Sequence, residues 1–287
     1  MLGKKQEQKT EENSTAIQAG GDINLTQNNG LRISEVKELC LLFLRDNFPA
    51  LRDEAVREAQ NNVERFATKL ESELANKIGS IALEKFKDPD VQAMINDAVQ
   101  ASARKGVKAN PSVLIDLISE RASIANDDFK DIVLSEAVLV VPKLTNAQIS
   151  YLSFIHFMTS CSIGGLNHIS ELEHHSKLAS NAVSSGFNLS DSQKKHIQYA
   201  GACSIASMMR VDIYDAWSGI YKYLDYKSKE GFKADISKYC PITKNLLEKF
   251  EEDSAGGEVR LTSVGHAIAI AHLSKNIGHL DYNIWIN

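Results

Sequence analysis

The sequence has no pair of cysteines at metal-ligand spacing, no apolar stretch long enough to span a bilayer, and no excess of basic charge. Its four cysteines, Cys40, Cys161, Cys203 and Cys240, stand far apart, as expected of buried thiols in a reducing cytoplasm; this argues against a disulfide scaffold and a cysteine-built zinc site. The most apolar run, Ile149 to Ile163, contains His156 and several hydroxyl residues and falls short of the roughly 20 residues that a membrane helix needs. It reads as a buried helix, with a pore-forming segment released by a conformational change as the sharper alternative. The opening residues 1–14 carry no apolar core and read as a flexible charged tail rather than a signal peptide. A net charge of -5 gives no long-range attraction to nucleic acid or anionic lipid, although a local basic patch remains compatible with it. Gly-x-Ser-x-Gly, the Walker phosphate loop, the dinucleotide Gly-x-Gly-x-x-Gly and His-Glu-x-x-His are all missing.

What is present is a chain of 287 residues, 43% hydrophobic, long enough to bury a substantial core. Residues 1–30 read as a tail and a strand-forming oligomerisation segment, 31–143 as a helical domain with a long helix, and 144–287 as a second helical domain. In the first segment Ile17, Ala19, Ile23, Leu25 and Gln27 alternate with polar residues, the period of a strand with one apolar face. So short a strand cannot bury that face alone. Pairing with the same segment of other copies supplies the missing partner, since Gln and Asn ladders support in-register self-association.

The body is mainly α. Ser34 is read as the N-cap of a first helix carrying Val36, Leu39, Cys40 and Phe43. Pro49 then opens a long helix to about Phe86, with Val56, Ala59, Val63, Phe66, Leu70, Leu74, Ile78 and Ile81 on one stripe. The four central residues, Val63, Phe66, Leu70 and Leu74, are either a coiled-coil seam between copies or one buried face within the domain. Asp88 caps a helix from Pro89 to Lys105 that Gly106 ends; Pro111 starts another, and Asp127 or Asp128 the next, through Ile132, Val133, Ala137 and Val140. Pro142 closes the first domain, and Thr145 caps the helix that opens the second. Further helices are expected near 168–183, 190–208, 212–227 and 240–252. Glu258–Leu261 is expected to be a strand leading into a helix from Ser263 to Lys275 and to pair with Tyr282–Ile286, whose residues alternate.

The junction Val259-Arg260-Leu261-Thr262-Ser263-Val264-Gly265 resembles the end of winged-helix domains, where a wing strand enters a last helix behind a Thr N-cap. That resemblance implies a recognition helix near Thr243 to Phe250, but Glu248, Glu251 and Glu252 make it a poor surface for phosphate, so a protein-interaction version is preferred to a DNA reader. All eight histidines lie in the second half. His168, Glu171 and His175 are the one group with metal-ligand spacing, and the second Glu-x-x-His that a carboxylate-bridged site requires is absent. Cys161 follows His156 by five residues, a weak case for a nucleophile because an apolar helix end keeps a thiol inert.

Two resemblances complete the reading. Ile17-Gln18-Ala19-Gly20-Gly21-Asp22-Ile23-Asn24-Leu25-Thr26-Gln27 resembles short N-terminal self-assembly motifs of bacterial innate-immunity proteins. Phe86-Lys87-Asp88-Pro89-Asp90-Val91-Gln92, Ala103-Arg104-Lys105-Gly106, Leu114 to Arg121, Pro142 to Gln148 and Leu261 to Gly265 together resemble a family of uncharacterised bacterial proteins, which implies an architecture and no catalytic residues. The leading expectation is a cytoplasmic, non-enzymatic homo-oligomer, a sensor or effector of phage defence. Its assembly residues would be Ile17, Ile23, Leu25, Gln27, Val63, Phe66, Leu70 and Leu74, and its partners itself and a phage or host protein, with no cofactor, nucleic acid or resting membrane contact. The alternatives are a winged-helix regulator, marked by a basic surface around Lys194, Lys195, Lys222, Lys227 and Lys229, and a metal-dependent enzyme using His168, Glu171 and His175.

Overall fold

The computed structural model describes residues 32–48, 53–124, 127–206, 211–224, 228–253 and 256–286. Their order is α1 (Ile33–Asn47), α2 (Asp53–Asn76), α3 (Pro89–Lys105), α4 (Pro111–Arg121), α5 (Asp128–Val140), α6 (Asn146–Ser160), α7 (Leu172–Val183), α8 (Asp191–Tyr199), β1 (Cys203–Ile205), α9 (Ile213–Ile220), α10 (Lys229–Tyr239), α11 (Pro241–Glu252), β2 (Val259–Leu261) and α12 (Ser263–Ile277). Among the described residues the protein is mainly α with one two-stranded antiparallel sheet. No described helix is long and apolar enough to cross a membrane. The residues of the expected N-terminal strand, 15–30, lie outside the described set.

Helix starts follow local chemistry. Asp88 accepts the Asp90 amide, with Pro89 at the first helical position. Asp127 accepts the Lys130 amide at 2.8 Å, and Thr145 and Gln148 form a reciprocal capping box. Gly106 ends α3 with a positive φ of 54°, a conformation that glycine adopts without a Cβ penalty. Ser34 is not a cap: α1 begins one residue earlier, and the Arg32 amide donates to Glu35 Oε2 at 2.6 Å.

Val63, Phe66, Leu70 and Leu74 are buried in the chain's own core, where α2 packs on α1, α3 and α4. Burial of this stripe within the chain is therefore what positions α2, and its outer ends, Val56 and Ile78, are exposed. The long helix is shorter than its periodicity suggests. It stops at Asn76; a turn through Gly79 follows, and Ile81 bridges Ser123 while the Ala82 amide donates to Ala122 O at 2.9 Å. Backbone groups after Lys77 find partners at the exit of α4 instead of in another helical turn. The expected start at Pro49 lies outside the described residues.

In the second half α6 is almost wholly buried, which is the bland reading of the apolar run. α12 packs against α6 and α7 and also against α4 and α5, so it joins the core of both halves. Two expectations are corrected. The segment 190–208 is not one helix: α8 ends at Tyr199, Gly201 turns the chain at φ 87°, and residues 203–205 form β1. β2 pairs with β1, Cys203 opposite Leu261 and Ile205 opposite Val259, and not with the end of the chain. Residues Tyr282–Ile284 form a 3-10 turn, with the Ile286 amide donating to Tyr282 O. The alternation there reflects burial of Tyr282 and Ile286 beside exposed Ile284, a spacing that a tight turn satisfies as well as a strand. α10 fills a segment between the helices expected near 212–227 and 240–252.

Candidate functional site

The expected sites come apart when placed on the fold. Ile17, Ile23, Leu25 and Gln27 lie outside the described residues. Val63, Phe66, Leu70 and Leu74 are covered by helices of the same chain. Glu171 spends its carboxylate on the amides of Asn167 and His168, at 3.1 and 3.0 Å, capping the entry to α7. His168 Nδ1 meets Ser170 Oγ, and His175 Nδ1 meets the Glu171 carbonyl. No group of three or more His, Cys, Asp or Glu among the described residues is arranged to hold a metal. Burial pushes the Cys161 thiol up to about 12, so it is protonated at neutral pH.

Of the five lysines named as the mark of a nucleic-acid reader, two are committed to carboxylates, Lys195 and Lys222 are exposed, and Lys227 lies outside the described residues. Lys194 is buried against Asp253, and Lys229 is paired with Asp212. On α11, Lys244 reaches Glu248 at 3.5 Å and Lys249 reaches Glu252 at 2.7 Å, so the helix's own carboxylates neutralise its lysines.

Two features emerge that the sequence did not announce. The first is a polar cluster inside the α6–α12 contact. His156 Nδ1 and His266 Nδ1 stand 2.8 Å apart, and the Trp285 ring lies edge-on to His156 with centroids 4.8 Å apart. Trp285 Nε1 donates to Ser160 O at 3.1 Å, and Ser153 Oγ meets His272 Nδ1 at 2.9 Å. His156 Nε2 is buried without a hydrogen-bond partner among the described residues. An unpaired acceptor is tolerated better than an unpaired N–H, so His156 donates from Nδ1 and His266 accepts. Burial, with the neighbouring His266, lowers the His156 pKa to about 3, and burial lowers those of His266 and His272.

The sign of the linkage follows. The unfolded chain takes up protons near the ordinary histidine value of 6.5, while the folded chain resists them. Stability from this cluster is therefore complete above about pH 6.5 and is lost as the pH falls from there toward about 3. The melting temperature is expected to fall between about pH 7 and about pH 5, and His156→Phe, which retains a ring beside Trp285, should flatten that fall. Identical slopes for the two proteins, compared by calorimetry, would contradict the assignment.

The second feature is the outer face of α5. Phe129, Ile132 and Leu139 are 46%, 61% and 43% exposed. They lie at i, i+3 and i+10 and share one face with Glu136, a strip about 15 Å long at 1.5 Å per residue. The opposite face, with Val133, Leu134, Ala137 and Val138, is buried on the core. Of the residues through which this helix was expected to run, Val133, Ala137 and Val140 are buried and Ile132 faces outward. α5 carries more apolar residues than one buried face can use, and that surplus was the signal in the sequence.

A family model of uncharacterised type matches residues 30–229 and 224–286, nearly all of the described protein. No curated protein and no solved structure matches the chain.

Proposed function

The chain belongs to this family of uncharacterised type, which supplies no activity, and from its own residues we propose that it is a self-associating interaction protein. The observation that carries the reading is the α5 strip, three large apolar side chains held on one rigid, otherwise well-buried helix. Such a face is out of water only when something covers it. The occupant proposed is a second copy, because the sequence from Ile17 to Gln27 alternates as expected of a strand, and a strand so short would also need a partner for its apolar face. The resemblance of that segment to bacterial self-assembly motifs sets the proposed context, a cytoplasmic component of phage defence that assembles to sense or to act.

The test uses the full chain with Ile132→Lys and, separately, with Ile23→Pro. The first places a charge at the centre of the strip; the second removes a strand donor and fixes φ. Each should lower the mean mass in solution while leaving the helical circular dichroism spectrum unchanged. Assembly that survives both substitutions together would overturn the proposal.

A further inference from the structure

Away from α5, the end of α3 faces the segment that leads into α6. Arg104 and Lys105 occupy the last turn of α3, Lys108 lies in the 3-10 turn that follows, and Lys143 precedes the Thr145 cap. These four side chains line one cleft of about 800 Å3, and among the described residues no carboxylate lines it with them. In a chain of net charge -5 this is an unusual concentration of one sign.

The contacts that the four cations make do not neutralise them. Lys105 Nζ donates to Pro142 O at 2.5 Å, and an Arg104 guanidinium nitrogen reaches Gln100 Oε1 at 3.5 Å, with its carbon 5.9 Å from the centroid of the Phe48 ring. None of the four is ion-paired with a described carboxylate. Arg104 and Lys105 favour the negative end of the α3 dipole, which accounts for two of them. Lys108 and Lys143 come from other segments and have no such reason to converge. Asn146 and Ala147 also line the cleft, and as first-turn residues of α6 their amides lack intrahelical acceptors and belong to the positive end of its dipole. Val107, 70% exposed, forms an apolar ledge on the rim.

Like charges gathered around a partly enclosed space repel one another until an anion enters. Lysines and a helix N-terminus suit phosphate oxygens, and a volume of about 800 Å3 exceeds what one phosphate fills but falls within the range of small-ligand sites. We propose that this cleft binds a nucleotide through two or more of its phosphates, with the base over the Val107 ledge. The proposal does not rest on self-association: the mass of the same samples reports on that reading, and ligand titration reports on this one.

The experiment titrates the full chain with ATP, ADP and AMP and, in a separate arm, with a short single-stranded oligonucleotide, by calorimetry at low and at raised salt. ATP should bind most tightly and AMP most weakly, with affinity falling as salt rises. Lys108→Glu with Lys143→Glu, both exposed, should weaken ATP binding by about tenfold or more without shifting the melting temperature. No ATP binding at millimolar concentration would overturn the proposal, as would affinity indifferent to the double reversal. Binding of the oligonucleotide alone would also overturn it, assigning the charge to a nucleic-acid backbone.

Discussion

Gly265→Ala is expected to destabilise the protein by at least about 3 kcal/mol, although alanine is the better helix former. A Cβ on Gly265 would stand 1.9 Å from the Ala202 carbonyl oxygen, far inside contact distance. That oxygen accepts the Thr262 amide at 3.1 Å, and Thr262 Oγ1 donates to Gly201 O at 2.7 Å, so the first turn of α12 is docked on the turn before β1 by backbone on both sides. Neither side can give way like the end of a flexible side chain. The methyl must therefore push α12 off β1, and α12 is the helix that packs on both halves. Urea unfolding measures the effect, and a variant within about 1 kcal/mol of wild type would show that this approach is looser than the structure has it.

Glu120→Ala should cost about 3–5 kcal/mol, because it strands a buried ammonium. Lys130 is 1% exposed, with Nζ 2.5 Å from Glu120 Oε1 and 3.2 Å from Asn283 Oδ1. The same contacts hold the end of the chain: Asn283 touches Lys130, and Tyr282 donates its hydroxyl to Asp116 Oδ2 at 2.8 Å. Removing both charges together, Glu120→Leu with Lys130→Met, should cost less than Glu120→Ala alone, since no unpaired charge is then left in the core. A double variant less stable than the single would mean that the ion pair contributes net stability of its own.

These two predictions fall where the sequence was least legible. Caps were readable because their chemistry is local: Asp88, Asp127, Thr145 and Thr262 each bond an amide two or three residues on. The α2 stripe was readable because a buried face repeats at helical spacing. Pairings across the chain carry no such local trace. His156 meets His266 across a sequence separation of 110, and β1 meets β2 across more than fifty residues; neither partner shows which residue it will find. The segment Tyr282–Ile286 misled because alternating burial is common to a strand and to a tight turn that covers a core. Gly265 was visible as part of a winged-helix-like ending, but its reason, the Ala202 oxygen, lies in the turn before β1, which the helical pattern of 190–208 concealed. The α5 strip was not legible for the opposite reason, since periodicity shows how many apolar residues a helix has and not which of them its own chain will cover.

Self-association is the central claim, and it is tested most directly by light scattering of the intact chain across a concentration series reaching tens of micromolar, beside a chain beginning at Leu31. The account predicts a mass above that of one 31.7 kDa chain, rising with concentration, and a smaller mass for the shortened protein. A single-chain mass for the intact protein throughout the series would contradict it.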